Sequence, residues 1–72
     1  MSTLLYIADL SPACDGLRAR LESERDDITV LNVSQRPELI PELLKLTDGR
    51  RIVPVLVDGA QVRIAPHGGD AF

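Results

Sequence analysis

The chain has 72 residues, 44% of them hydrophobic and 3% aromatic, and a formal net charge of −3 at neutral pH. This length indicates one small domain, residues 1–72, with a core made mostly of Leu, Val and Ile. Because its 8 basic and 11 acidic residues are interspersed and stacking aromatics are scarce, we expect no nucleic-acid partner. No apolar run approaches the roughly 20 residues of a membrane span, and no basic segment opens the chain as in a signal peptide. With a single cysteine no internal disulfide can form, so we expect a cytoplasmic protein without a membrane partner.

Four apolar blocks separated by turn signals predict four strands. Residues 3–8 are continuously apolar, which is typical of a strand buried on both faces. Residues 28–33 are rich in β-branched side chains and predict the second strand. Residues 52–57 and 60–65 predict the third and fourth strands, joined by the hairpin signal Asp58-Gly59. We therefore expect a mixed four-stranded sheet that ends in an antiparallel hairpin.

The first helix is predicted to begin at Ser11-Pro12, since Ser is a preferred N-cap and Pro fits the first helical position. Cys14, Leu17 and Leu21 then fall at i, i+3 and i+7 and form one apolar stripe. The helix is predicted to run from Pro12 to Glu24 with this stripe facing the core.

A second helix is predicted over residues 38–47, where several leucines share one face. Its start stays open, because Pro37 and Pro41 both fit a first turn but cannot both hold the first helical position. The element order is thus βαβαββ. Residues 66–69 end the fourth strand, and we interpret His67 there as a solvated loop histidine.

Pro54 lies inside the predicted third strand, although proline cannot donate a hydrogen bond to a sheet ladder. Such a proline marks an edge, a bulge or the first residues of a strand. Its place opposite Ser11-Pro12 leads us to expect a cis Val53-Pro54 bond. The Val53 main chain would then face outward as an edge that can bind an extended peptide.

Three local features, taken in order, resemble the glutaredoxin branch of the thioredoxin-fold family. They are a strand that delivers Ser11-Pro12-Ala13-Cys14 to a helix start, the segment Gly49-Arg50-Arg51-Ile52-Val53-Pro54, and the glycine pair of Gly68-Gly69-Asp70. The resemblance covers essentially the whole chain. It implies an α/β, thioredoxin-like βαβαββ fold whose C-terminal helix is missing or vestigial.

The resemblance also implies a function, namely thiol–disulfide redox or thiol-binding chemistry at the helix start. The reacting positions would be Ser11 and Cys14, although Ser11 stands where the family has its nucleophilic cysteine. A cysteine there is activated by the helix dipole, whereas a serine hydroxyl is not. The substrate-binding residues implied are Pro12, Arg51, Val53, Pro54, Gly69 and Asp70.

The implied partner is a thiol- or disulfide-containing protein or peptide, with glutathione as a further candidate. Glutathione has few charged partners here beyond Arg51 and Arg50, because Ala8 and Ala71 stand where the family often has a lysine and an aspartate. No metal is expected, since Cys14 and His67 are two soft ligands where a structural zinc needs four.

Each key residue also has a simpler interpretation. Cys14 is either a redox thiol or a small buried hydrophobe of the helix stripe. Ser11 is either a plain N-cap or a replacement for a natural cysteine or selenocysteine. The competing function is a non-catalytic thioredoxin-fold module that binds an extended peptide at Val53.

The missing last helix predicts an open sheet face. We expect a second copy, another protein or a turn of the C-terminal segment to cover it.

Overall fold

The structure is a computed structural model, and it describes residues 3–66 and 68–72. Met1, Ser2 and His67 lie outside the described residues, as does the interpretation of His67 as a loop histidine. The described strands are β1 (Thr3–Ile7), β2 (Ile28–Asn32), β3 (Ile52–Val53), β4 (Val55–Asp58), β5 (Gln61–Ile64) and β6 (Asp70–Ala71). The described helices are α1 (Pro12–Glu24) and α2 (Ile40–Leu46), the second preceded by a 3-10 turn at Pro37–Leu39.

The fold is α/β, built on a mixed four-stranded sheet in the order β2-β1-β4-β5. β1 is parallel to β2, and β4 is antiparallel to both β1 and β5. A parallel pair needs a crossover connection, and α1 supplies it between β1 and β2. The mixed four-stranded sheet predicted from the sequence is confirmed.

The two helices cover opposite faces of this sheet. Tyr6 points to the α2 face, because its hydroxyl donates a hydrogen bond of 2.7 Å to Oε1 of Glu42. Leu5 and its partner Leu56 point to the other face. Leu56 and Leu17 of α1 line one surface groove, so this face is the one that α1 covers. The core thus forms between sheet and helices on both sides.

α1 has the predicted bounds, whereas α2 begins later than predicted. The stripe Cys14, Leu17 and Leu21 is buried, as its spacing predicts. Pro37 is at the start of the 3-10 turn, and Pro41 is in the first turn of α2. Each proline therefore opens a separate helical segment, which answers the question that the sequence leaves open.

The predicted third strand is wrong as a single strand, because it is divided at Pro54. β3 ends at Val53, β4 begins at Val55, and the two belong to different sheets. Pro54 lacks the N–H that would continue the ladder. The Val53-Pro54 peptide bond is cis, the geometry expected from the sequence.

The C-terminal residues form a strand that the sequence analysis does not predict. β6 pairs antiparallel with β3, so that Ile52 lies opposite Ala71 and Val53 opposite Asp70. No helix follows β5 among the described residues. Leu17, Leu21 and Leu56 are at most 8% exposed, so the face expected to be open is largely closed by this chain alone.

In the part of the chain that the structure describes, no helix has both the length and the apolar character needed to cross a membrane.

Candidate functional site

Ser11 is the N-cap of α1, and its hydroxyl makes two hydrogen bonds. Its backbone is extended (φ −118°, ψ 104°), as an N-cap requires. The Ser11 Oγ accepts a hydrogen bond from the Cys14 N–H at 3.2 Å. The same hydroxyl donates to Oδ2 of Asp70 at 2.6 Å. Ser11 is only 2% exposed, so its hydroxyl is a buried group that uses its one donor and one of its acceptor sites within the chain.

Cys14 lies one turn further along α1, inside the core. Its side chain is 0% exposed and belongs to the same buried cluster as Leu17 and Leu21. A thiol must be reached by its partner sulfur before exchange can occur. In this structure no external disulfide or thiol can reach Cys14.

Asp70 brings the C-terminal strand to the N-terminus of α1. Its Oδ2 accepts from the Ser11 hydroxyl and, at 3.2 Å, from the Ala13 N–H. A carboxylate is favourable here because the first N–H groups of a helix have no partner within the helix and the dipole is positive at this end. Asp70 therefore fills the position where an anionic ligand would bind.

The outward edge of Val53 is occupied as well. The N–H of Phe72 donates to the Arg51 carbonyl at 3.2 Å. Bonded and non-bonded pairs alternate along an antiparallel ladder, so Val53 and Asp70, two residues further on, form the next bonded pair. The main chain predicted to bind an extended peptide is thus already paired within the chain.

Arg51 and Gly69 hold the same segment in place. Arg51 Nε donates to the Phe72 carbonyl oxygen at 2.8 Å, and its guanidinium carbon lies 4.8 Å from the Phe72 ring centroid. A Cβ at Gly69 would lie 2.7 Å from the Val53 carbonyl oxygen and 2.8 Å from Cβ of Ala65. Position 69 has no room for a side chain, so glycine is required for this close approach.

Pro12 and Pro54 lie on either side of a pocket of about 240 Å³ at the start of α1. An adjoining pocket of about 250 Å³ continues along α1, where Leu17 and Arg20 line both. The second pocket also includes Leu56 of the sheet. Together they form a shallow groove beside α1. The groove is what remains of the face that the sequence analysis expects to be open.

All eight predicted site residues therefore lie in one region, where most of them are bonded within the chain and Pro12 and Pro54 line the groove. Five of them belong to residues 68–72 or are bonded to these residues, namely Ser11, Arg51, Val53, Gly69 and Asp70. The full set is Ser11, Pro12, Cys14, Arg51, Val53, Pro54, Gly69 and Asp70. Cys14 differs from the other predicted site residues because its side chain is part of the hydrophobic core.

Leu10 is a feature of this region that the sequence reasoning missed. It is the residue before Ser11, its side chain is fully exposed (101%), and its φ is +57°. The left-handed conformation costs a non-glycine residue about 1–2 kcal/mol, and solvent exposure forgoes the gain of burying a leucine. The sequence does contain a signal for it, because Leu10 is an apolar residue in an otherwise polar turn between the first strand and the first helix.

The groups with shifted pKa values lie away from this region. Burial and the hydrogen bond to Glu42 raise the pKa of Tyr6 to about 12. At the start of β1, the Arg25 guanidinium lowers the pKa of Asp58, which it contacts at 3.3 Å. Thr3 joins this cluster by donating to Asp58. Both clusters are structural links between elements rather than parts of the candidate site.

The groups that the resemblance implies for glutathione binding are bonded within this chain. The Val53 main chain is paired with Asp70. Arg51 donates to the Phe72 carbonyl oxygen, and the Asp70 carboxylate accepts from the Ala13 N–H. Within residues 3–66 and 68–72, no three His, Cys, Asp or Glu side chains are placed to hold a metal ion.

Comparisons with known proteins add no assignment. No protein-family model, no curated protein and no solved structure matches this chain.

Proposed function

We propose that this protein is a non-catalytic, thioredoxin-like binding module that takes an extended peptide beside the start of α1. The sheet order β2-β1-β4-β5, with β1 parallel to β2 and an antiparallel hairpin after it, supports the thioredoxin-like part of the proposal. The position of Pro54 in the same groove as Pro12, at the start of α1, supports it as well. The glutaredoxin-like resemblance thus bears on the scaffold more than on the chemistry.

The burial of Cys14 is the observation that favours binding over redox chemistry. Cys14 is 0% exposed, and position 11 has a hydroxyl where the resembled family has a thiol. A serine hydroxyl cannot exchange with a disulfide, and a buried thiol cannot reach one. Without redox chemistry, the function left for this region is to bind the main chain and side chains of a peptide.

Leu10 gives the proposed binding surface an apolar contact point. It projects fully into solvent directly before the Ser11 N-cap, and its φ of +57° fixes this direction. Burying an exposed leucine side chain against a partner contributes about 1.5–3 kcal/mol. The proposed partner is a peptide segment in a protein. A cytoplasmic location and a homodimer stay predictions.

The proposal is tested by selecting peptides from a phage-displayed library on the wild-type protein and measuring their affinity by fluorescence anisotropy. Leu10→Asn removes the apolar contact, and asparagine tolerates a left-handed φ. We expect it to weaken binding about tenfold or more, the value of burying one leucine. Cys14→Ala is expected to bind as the wild type does, because binding does not use the thiol.

Val62→Asn is the matched control, since Val62 is an apolar residue 41% exposed on β5. It should leave the affinity unchanged. The proposal is wrong if no peptide is selected, or if Val62→Asn weakens binding while Leu10→Asn does not. The second result would place the binding surface at the free edge of β5.

A second candidate function is thiol–disulfide exchange in which a natural cysteine or selenocysteine occupies position 11. The observation in its favour is that position 11 lies at the N-terminus of α1, three residues before Cys14. This position lowers the pKa of a thiol, but the adjacent Asp70 carboxylate opposes that effect.

The test is disulfide reduction by Ser11→Cys and by Ser11→Cys/Asp70→Asn, with insulin as substrate and dithiothreitol as reductant. Activity should appear in the first variant and rise in the second. Two folded variants without activity would eliminate this candidate.

A further inference from the structure

Residues Gly68–Phe72, here called the C-terminal segment, contact the candidate site through main-chain and side-chain groups of Asp70 and Phe72. Asp70 pairs with Val53 in the β3–β6 ladder. Its carboxylate accepts from Ser11 and Ala13. Phe72 binds Arg51 through its N–H, its carbonyl oxygen and its ring. Contacts of this variety indicate a specific docked state of the C-terminal segment.

Each of these contacts is of the kind that an extended peptide ligand would make. Strand addition provides main-chain hydrogen bonds, and pockets for alternate side chains provide specificity. β6 supplies the main-chain part at Val53. The Asp70 carboxylate supplies a side-chain part at the positive end of α1. The C-terminal segment thus shows which ligand features the site can recognise.

We propose that the C-terminal segment is an autoinhibitory occupant of the peptide site, and that the ligand is an extended peptide carrying an acidic residue that replaces Asp70. This inference rests on the proposed function, because it names the class of peptide and the regulation of the same site. An acidic peptide binds when the segment leaves Val53, Ser11 and Arg51.

The docking is short enough to be reversible. β3 and β6 have two residues each, and they form a two-stranded sheet separate from the main one. A two-stranded pair is marginally stable at best in water, so it depends on its side-chain contacts. The Gly69 approach to Val53 and the Asp70 bonds to α1 are therefore the contacts that set the occupancy.

The experiment uses full-length variants and the pentapeptide Gly-Gly-Asp-Ala-Phe, labelled at its amino end, as the probe. Asp70→Asn removes the charge that holds the segment on α1, and Gly69→Ala places a methyl group 2.7 Å from the Val53 carbonyl oxygen. Both variants should bind the probe about tenfold or more tightly than the wild type, because a larger fraction of molecules has the site open. The same peptide with Asn in place of Asp should bind the variants more weakly.

Asp15→Asn is the matched control, since Asp15 is an exposed carboxylate in the first turn of the same helix. It changes the charge at this helix end without touching the C-terminal segment, so its affinity for the probe should equal that of the wild type. Far-UV circular dichroism establishes that each variant is folded. If Gly69→Ala does not fold, Asp70→Asn alone decides the result.

The two proposals fail separately. Equal affinity of the wild type and the folded segment variants for the probe, or no binding of the probe to any of them, overturns the autoinhibitory role. If library peptides that depend on Leu10 are still found, the proposed function stands without it. If neither probe nor library peptides bind, both proposals are wrong.

Discussion

Replacing Ser11 by alanine removes one hydroxyl that serves two parts of the molecule. As an N-cap it accepts from the Cys14 N–H, and the loss of an N-cap costs about 1 kcal/mol. It also donates to the Asp70 carboxylate, and a hydrogen bond to a charged group is worth about 1.5–3 kcal/mol. We expect Ser11→Ala to lower the free energy of unfolding by about 2.5–4 kcal/mol, the sum of the two contributions and a large share of the stability of a small domain.

Urea unfolding followed by far-UV circular dichroism measures this change. Ser23→Ala is the control, because Ser23 is an exposed serine of the same helix whose hydroxyl donates to the Arg20 carbonyl oxygen within that helix. It should change the free energy by less than about 0.5 kcal/mol. The variants Ser11→Ala, Asp70→Ala and the double variant complete a cycle, whose coupling energy should be about 1–2 kcal/mol. Additive single effects would refute the link between Ser11 and Asp70.

Cys14 should resist alkylation in the native protein and react only on unfolding, because its side chain is fully buried; rapid labelling of the folded protein at neutral pH would contradict this. Absorbance titration of Tyr6, the single tyrosine, should give a pKa of about 12 in the folded protein and about 10 in urea. The free energy of unfolding should therefore decrease as the pH rises from about 10 to about 12. Equal pKa values in the two states would refute the contact with Glu42. Arg25 lowers the pKa of Asp58, so this pair stabilises the fold above the unfolded pKa of about 3.9 and less as pH falls through the folded value. Arg25→Gln should therefore reduce stability near neutral pH more than in acid, whereas a loss independent of pH would contradict the assignment.

The elements that the sequence predicts well are those specified by local signals. The first helix has both a start signal at Ser11-Pro12 and the buried stripe of Cys14, Leu17 and Leu21, and its bounds agree with the structure. The parallel and antiparallel parts of the main sheet follow from apolar blocks and a hairpin signal. Each of these patterns lies within one short stretch of chain.

The elements that the sequence does not predict depend on distant partners. Asp70 and Ala71 have low strand propensity, and they form β6 only because Val53 and Ile52 offer an unpaired edge beside them. The break at Pro54 follows from the same competition, since β3 and β4 pair in different sheets. Periodicity within a segment contains no information about such pairing.

The candidate site was predicted as a set of positions but not as an arrangement. Resemblance brings Ser11, Val53 and Asp70 into one region, and the structure places them in contact. It does not indicate that the Asp70 carboxylate would bond the Ser11 hydroxyl, because side-chain pairing across 59 positions leaves no local pattern. Nor does it indicate Leu10, whose role depends on exposure.

The bond between Ser11 and Asp70 has an evolutionary consequence. A thiolate or selenolate at position 11 would face the Asp70 carboxylate at the distance now taken by a 2.6 Å hydrogen bond, and two negative charges so close would oppose the ionisation that catalysis needs. Selection for redox activity would therefore act against an acidic residue at position 70. Selection for a closed site would favour serine and aspartate together. Among related sequences, residues 11 and 70 should therefore change together. Serine with aspartate would indicate selection for a closed site, and a cysteine or selenocysteine without an acidic residue at position 70 would indicate selection for redox activity.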